Sequence, residues 1–505
     1  MRIGAITNAC VEFDHWDEAL HALELKLGAA FFLCDILSNT SNEDEIRMIC
    51  AALEMVYRAS HDAVQESFDH VGNGLVPLLL RLLERGESGA MKNADVSIMN
   101  ISKVLLYFAR VPPIRATLAR HQGLLRALQR VSTSILNSES RVIRLRILAN
   151  LANANENKVA ISEYPGLLDS ILHIAHLDIC QEAKEFAAAA LMDLSNSPIN
   201  QLNMAKNDKM IAVVTKLSLF DDEKDETREF AITALQNLAF AKENRMILIS
   251  FGNGMVLEAL KENLMSNPRY KGRRRAAGTI TNLVTSETAE ALGNHQGLLE
   301  TLAIVSKKDE NAEVRERAML TLTKIAYGIN STVKCHSTLL DALISASASE
   351  SNEEKVSTIL RSKTKIPENR TIIAHHDGIL DTLANICTSL KATSKGRENA
   401  MKSIMHLTSV QANRKIMATK AILDATIQCA NLKGVENEST RDAAMVTLER
   451  LGTEITNRKA MACHEGLITV VAMATERESK AERKGDDPQV ERLAKPLLMS
   501  LLLSL

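Results

Sequence analysis

One pattern recurs ten times along this chain: a turn position followed by apolar residues that open a Leu-rich stretch, as in GLVPLLLRLL, GLLDSILHI, GMVLEALKEN and GILDTLANI. The marker positions are Gly74, Gly123, Gly166, Lys209, Gly254, Gly297, Thr338, Gly378, Ala421 and Gly466. Their mean spacing is about 43.6 residues, and six of the nine intervals are 43 or 45. A repeat of that length cannot bury its apolar face alone, so successive units must stack on one another. A chain of 505 residues would otherwise divide into several domains, yet no Pro-, Gly- or Ser-rich linker interrupts it.

A second marker runs in phase. Asn157, Asn200, Asn244, Asn369, Asn413 and Asn457 each precede a first marker by eight to ten residues, often within ENR, ENK or TNR. Asn is a good helix N-cap, which predicts a short helix starting at each of these positions. After the polar loop that closes each Leu-rich helix comes a third helix, typified by TREFAITALQNLAFAKENR at 227–245. There Phe230, Ala231, Ala234, Leu235, Leu238 and Ala239 recur at helical spacing and predict a wide buried stripe.

This unit resembles the armadillo repeat: a short helix, a Gly turn and two longer helices, the last with an A-L-x-N-L-A core. ITALQNLA (232–239) and RLRILANLA (144–152) match that core, GTITNLV (278–284) partly, and the period also suits HEAT-type repeats. The expected fold is an all-α, right-handed superhelical solenoid of about ten three-helix repeats. Residues 1–40 are expected to form an N-terminal helical cap and residues 41–505 the array, its last repeat closing the other end. At 352–366 the pattern weakens, with Lys363 and Lys365 where apolar residues belong.

The resemblance implies an extended groove lined by the third helices, in which an Asn of that helix bonds the backbone of a bound peptide. The equivalent row is Tyr57, Tyr107, Asn150, Asp193, Asn237, Asn282, Lys324, Ser362, His406 and Arg450, only three of them Asn. Four residues earlier, where the nuclear-import branch places Trp, stand Arg146, Ala189, Thr233, Gly278 and Leu320. A nuclear-transport adaptor is therefore the alternative and not the principal reading.

Nine residues before the row runs a set of bases: Arg141, Lys184, Arg228, Arg273, Arg315, Arg397 and Arg441, five of them followed by an acid. The plain explanation is structural, the base pairing with an acid of the adjoining unit such as Asp178, Asp222 or Asp309. Two departures point elsewhere. GRRRAA (272–277) and SRVIRLR (140–146) each crowd three Arg without a local acid, and with Lys324 and Lys402 they trace a broken basic line. The expected binding residues are Arg146, Asn150, Asp193, Asn237, Arg274, Asn282, Lys324, Lys402 and His406. The Asn amides would serve a peptide backbone, and the bases a carboxylate or phosphate.

Sixty basic against sixty-two acidic residues argue against a nucleic-acid solenoid, which is kept only as a lesser alternative. His173 and His176 share a helix face but lack a third ligand at suitable spacing, and neither a metal nor a cofactor is expected. No catalytic motif occurs, so the protein is expected to be a non-catalytic scaffold or adaptor for other proteins, with no small-molecule substrate. Eight scattered Cys without a C-x-x-C pair suit reduced thiols in the cytoplasm or nucleus. PLLMSLLLSL (496–505) is too short to span a bilayer. It is apolar on both sides, so the chain either continues past Leu505 or this end associates with a second copy or another partner.

Overall fold

A computed structural model describes residues 23–59, 61–91, 93–121, 123–132, 137–219, 225–328, 337–482 and 494–503. Among these residues every regular element is a helix and no strand occurs, which is the all-α solenoid architecture expected. No helix among them is long and apolar enough to cross a membrane. The chain divides into two compact units, Met1–Asn263 with Asn267–Thr279 and Leu264–Ser266 with Ile280–Leu505.

In the first unit the third helices Ala94–Arg110, Ser138–Asn153, Gln181–Ser195 and Asp225–Leu238 pack on one another in sequence order. Ala makes this close stacking possible. Gln181–Ser195 lies between two neighbours and buries Ala183, Ala187, Ala188 and Ala190 together with Leu191 and Leu194. Burial of each Leu side chain is worth about 1.5–3 kcal/mol, so the stripe, more than helix propensity, holds the helix in place. In Asp225–Leu238 the core is carried by Ala231, Ile232, Ala234, Leu235 and Leu238, whereas Phe230 is only half-buried. The helix Leu23–Asn39 packs on the first repeat through Ala30, Leu33, Cys34 and Leu37. The rest of the expected cap, residues 1–22, lies outside the described residues. In the second unit Glu353–Thr364, Ser394–Thr408 and Glu438–Thr453 form the corresponding stack.

The glycine markers do what a tight helix-to-helix turn requires. Gly166 and Gly378 sit at φ 73° and 82°, a region in which a Cβ would clash, and Gly123, Gly254, Gly297 and Gly466 share it. Two units without Gly use a side-chain cap instead. Asn207 accepts from the N–H groups of Lys209 and Met210, and Thr419 accepts from that of Ile422. Gly74 departs from the pattern, because it lies within one continuous helix, His61–Glu87, that also carries Pro77.

The periodic Asn residues are not the N-caps expected. Asn200 Nδ2 donates to the Leu194 carbonyl at 3.0 Å and to the Lys158 carbonyl, one repeat back, at 2.9 Å. Asn157, Asn244, Asn413 and Asn457 make the same pair of bonds to their own third helix and to the preceding repeat. Each is almost completely buried. The helix C-terminus leaves carbonyls without partners, and these positions need a donor where a cap would need an acceptor.

The row of bases also departs from expectation. Arg141 does pair with Asp178 of the next repeat, at 2.9 Å. Arg273, Arg315 and Arg441 instead donate to backbone carbonyls of the loop before their own helix, at 2.8, 2.7 and 2.7 Å, as Arg397 does at 3.0 Å. Asp222 lies outside the described residues. In the unit where the pattern weakens, Lys363 is buried and Lys365 is exposed, so only the first interrupts the apolar face.

Candidate functional site

The row singled out in the sequence occupies the last turn of each third helix. In the first unit it is largely committed to internal bonds. Asn150 Nδ2 donates to the Arg146 carbonyl at 2.9 Å, and Asn237 Nδ2 donates to the Met192 carbonyl and Ser195 Oγ, both at 3.1 Å. Asn237 is also almost fully buried. Neither amide therefore presents its donor as expected.

Three arginines of the two runs, Arg141, Arg144 and Arg275, pair with acids distant in sequence. In SRVIRLR, Arg141 pairs with Asp178, Arg144 is buried against Glu87, and the Arg146 guanidinium lies 5.1 Å from the Phe186 ring centroid. In GRRRAA, Arg273 holds loop carbonyls, Arg275 pairs with Glu229 at 3.3 Å, and Arg274 is half-buried and already engaged within the protein. The acids that answer these bases lie about forty residues or more away in several cases, which is why neither run shows a local partner.

Asp193 is also enclosed. Burial raises its carboxyl above the usual range against the opposing pull of Lys158, a hydrogen bond with Asn153 and Arg115. It is the resident acid for two bases, since Arg115 and Lys158 both lie beside it.

The second unit differs. Asn282 is half-buried with no hydrogen-bond partner for Nδ2 among the described residues, and Lys324 is exposed. Lys402 is held by Glu398 at 2.6 Å. Burial alone would raise the Glu398 carboxyl, but hydrogen bonds from Lys402 and Lys395 bring it down to about 2. Lys402 is thus an internal partner. His406 lies elsewhere on the same helix, with Nδ1 3.2 Å from Thr364 Oγ1. Burial first, and then Arg370, Arg361, Lys365 and Arg450, push its imidazole down to about 4, so it is neutral at physiological pH.

The arginines around His406 are anchored by the helix ends. Arg370 donates from Nε to the Thr364 carbonyl at 2.9 Å and from Nη1 to Ser409 Oγ at 2.9 Å. Arg414 repeats this with the Thr408 carbonyl at 3.0 Å and Thr453 Oγ1 at 2.7 Å. Arg450 donates to the Met405 carbonyl at 2.7 Å. No carboxylate forms an ion pair with Arg370, Arg414 or Arg450 among the described residues. Sequence reasoning placed Arg450 in the row but omitted Arg370 and Arg414, which follow a marker Asn directly. The Asn-Arg dipeptide in four of the markers is the available signal. Of the nine expected binding residues, Arg146, Asn150, Asp193, Asn237 and Arg274 belong to the first unit and Asn282, Lys324, Lys402 and His406 to the second.

Neither a protein-family model nor a curated protein matches the chain. Among solved structures, an engineered protein matches 94% of this chain and 98% of its own at 18% identity and a TM-score of 0.51. A designed armadillo repeat protein in complex with the peptide (KR)4 matches 50% of this chain and 99% of its own, at 19% identity and a TM-score of 0.42. Computationally designed armadillo repeat proteins for modular peptide recognition match 49% of this chain and 99% of theirs, at 20% identity and a TM-score of 0.41. Only the first of these likenesses, with a TM-score above 0.5, speaks to fold. With the three-helix unit, its left-handed Gly turn and its stacked third helices, the fold is an armadillo-like repeat solenoid.

Proposed function

We propose that this protein is a non-catalytic scaffold that binds an extended, acidic, initially disordered segment of another protein along its third-helix face. One observation carries the reading. In the second unit the helix ends bring Arg370, His406, Arg414 and Arg450 together, and no carboxylate is ion-paired to these arginines among the described residues. An extended chain can meet such a row residue by residue, ordering as it binds. The designed armadillo proteins for modular peptide recognition offer an analogy for peptide binding by a repeat array, and their likeness adds nothing about charge preference.

The buried free thiols of Cys34, Cys50, Cys387 and Cys429 support placing the scaffold in the reducing cytoplasm or nucleus. A second contact surface, for another copy of this chain, is proposed at the helix Ala494–Leu502, where Met499 and Leu502 are exposed beside Leu503 while Ala494, Leu497 and Leu501 face inward. Sedimentation of wild type and Leu503→Glu over a concentration series tests that contact, and a concentration-independent monomer overturns it.

The peptide reading is tested by fluorescence polarisation with fifteen-residue acidic peptides and their charge-reversed counterparts. Acidic peptides should bind, with affinity falling as salt rises. Equal binding of the basic set, or no binding of either, overturns it.

A further inference from the structure

The repeats supply their own reference for what the cationic cluster lacks. Arg115, Asn150, Lys158 and Asp193 stand at the positions that Arg370, His406, Arg414 and Arg450 occupy in the other unit, as the matching Asn markers 157 and 413, then 200 and 457, require. Arg115 and Arg370 are held alike. Arg115 donates from Nε to the Ala109 carbonyl at 2.9 Å and from Nη1 to Asn153 Oδ1 at 2.9 Å, and Arg370 makes the corresponding bonds to Thr364 and Ser409. In the first set Asp193 provides the negative charge that Arg115 and Lys158 face. In the second set that position is Arg450, and the neighbouring row position is His406 in place of Asn150. The acid is not merely missing; a base has replaced it.

We infer that the cluster of Arg370, His406, Arg414 and Arg450 takes a phosphorylated side chain of the bound segment, the external dianion filling the place that Asp193 fills in the other unit. The inference rests on the peptide-binding reading above and adds to it the position and chemistry of one anchor.

Three observations favour a dianion over a single carboxylate. Arg361 and Lys365 also lie close enough to His406 to depress its protonation, so the positive field extends beyond the three clustered arginines. The nearby acids offset it only in part: Glu449 acts on Arg450 alone of the cluster, and Glu398 is 4.0 Å from Arg361 while bonded to Lys395 and Lys402. The arginines are already fixed by carbonyl and hydroxyl partners, so a ligand need not order them before accepting their bonds. A planar guanidinium held in this way can present two N–H groups to a phosphate.

The internal reference also supplies variants that should keep the fold. Asn237, at the row position of its own repeat, donates to the Met192 carbonyl as Arg450 does to the Met405 carbonyl, so Arg450→Asn can retain that bond without the charge. Arg450→Asp copies Asp193. The probe is an array of acidic twelve-residue peptides, each in serine and phosphoserine forms, applied to the full chain, with the strongest pair measured in solution. Wild type should prefer the phosphorylated form by at least about tenfold. Both variants should melt as wild type does and lose that preference, the phosphorylated form weakening by at least about tenfold more than the serine form.

Equal wild-type affinity for the two forms overturns the phosphate assignment and leaves the scaffold reading standing. Binding of neither form overturns the scaffold reading itself. A preference that survives in folded Arg450→Asn and Arg450→Asp overturns the placement. Inorganic phosphate or a single-stranded oligonucleotide that competes as well as the phosphopeptide overturns the peptide as its source.

Discussion

Asn244 donates a hydrogen bond to the carbonyl of Gln201, forty-three positions earlier, at 2.8 Å, and a second to Leu238 at 2.9 Å. One amide thus closes its own third helix and joins two repeats. Asn244→Ala strands two buried carbonyls and should destabilise the array by about 2–3 kcal/mol. Asn244→Asp should cost at least as much, because a carboxylate accepts and does not donate. Hydrogen exchange should rise on both sides of the joint, at Leu238 and around Gln201. Increased exchange near Leu238 alone would show that the bond to the preceding repeat carries no stability.

The same Asn shows what the sequence could and could not reveal. Its period was legible, and so were the Leu-rich and Ala-rich stripes, because burial leaves a helical spacing in the residues themselves. Its role was not, since Asn carries both a donor and an acceptor and the spacing is the same for a cap and for a carbonyl clamp. The binding row was located for the same reason as the stripes, being in register with them. Whether Asn150 and Asn237 face a partner depends on which carbonyl stands within reach, and those carbonyls include one on a different repeat. The pairing of Arg144 with Glu87 lies beyond any local reading of charge.

Acidification should weaken the fold through His406. Its native imidazole titrates at about 4, below the ordinary value of 6.5, so the unfolded chain binds the proton more readily. Stability is then fully present above pH 6.5, falls as pH drops toward about 4, and is flat below that. For a half-buried group the loss should be on the order of 1–2 kcal/mol. His406→Asn, which copies Asn150, should lack this component when chemical denaturation is compared at pH 7.5 and 5. An unchanged slope in the variant would assign the effect to other groups.

Two glycines at the same marker position should respond in opposite directions to Ala. Gly166 sits at φ 73°, a left-handed conformation that strains an L side chain, so Gly166→Ala should cost about 1–2 kcal/mol. Gly74 lies within the helix His61–Glu87 with nothing inside 4 Å of that Cβ, so Gly74→Ala should stabilise by about 0.5–1 kcal/mol. Thermal melts of the two variants decide the matter. Destabilisation by Gly74→Ala would mean that the chain turns there, as the repeat pattern alone suggests.

Arg144 and Glu87 form the buried charge pair of the first unit, at 1% and 8% side-chain exposure. Arg144 also donates to the Ala127 carbonyl at 3.0 Å, and Arg130 reaches the same carboxylate at 2.8 Å. Burial lowers the Arg144 pKa against the opposing pull of Glu87, and the guanidinium stays charged, so Glu87 is the counter-ion that offsets its burial. Glu87→Ala leaves that cation without a counter-ion and should cost about 3–5 kcal/mol. Arg144→Met should cost less, because Arg130 still answers the carboxylate. The double variant Glu87→Leu/Arg144→Met removes both charges and fills the space with apolar groups. It should recover at least about 2 kcal/mol relative to Glu87→Ala. Denaturant unfolding followed by circular dichroism gives all three values. A double variant as unstable as Glu87→Ala would show that the pair contributes shape and hydrogen bonds that Leu and Met cannot replace, and that charge burial is not what makes the single substitution costly.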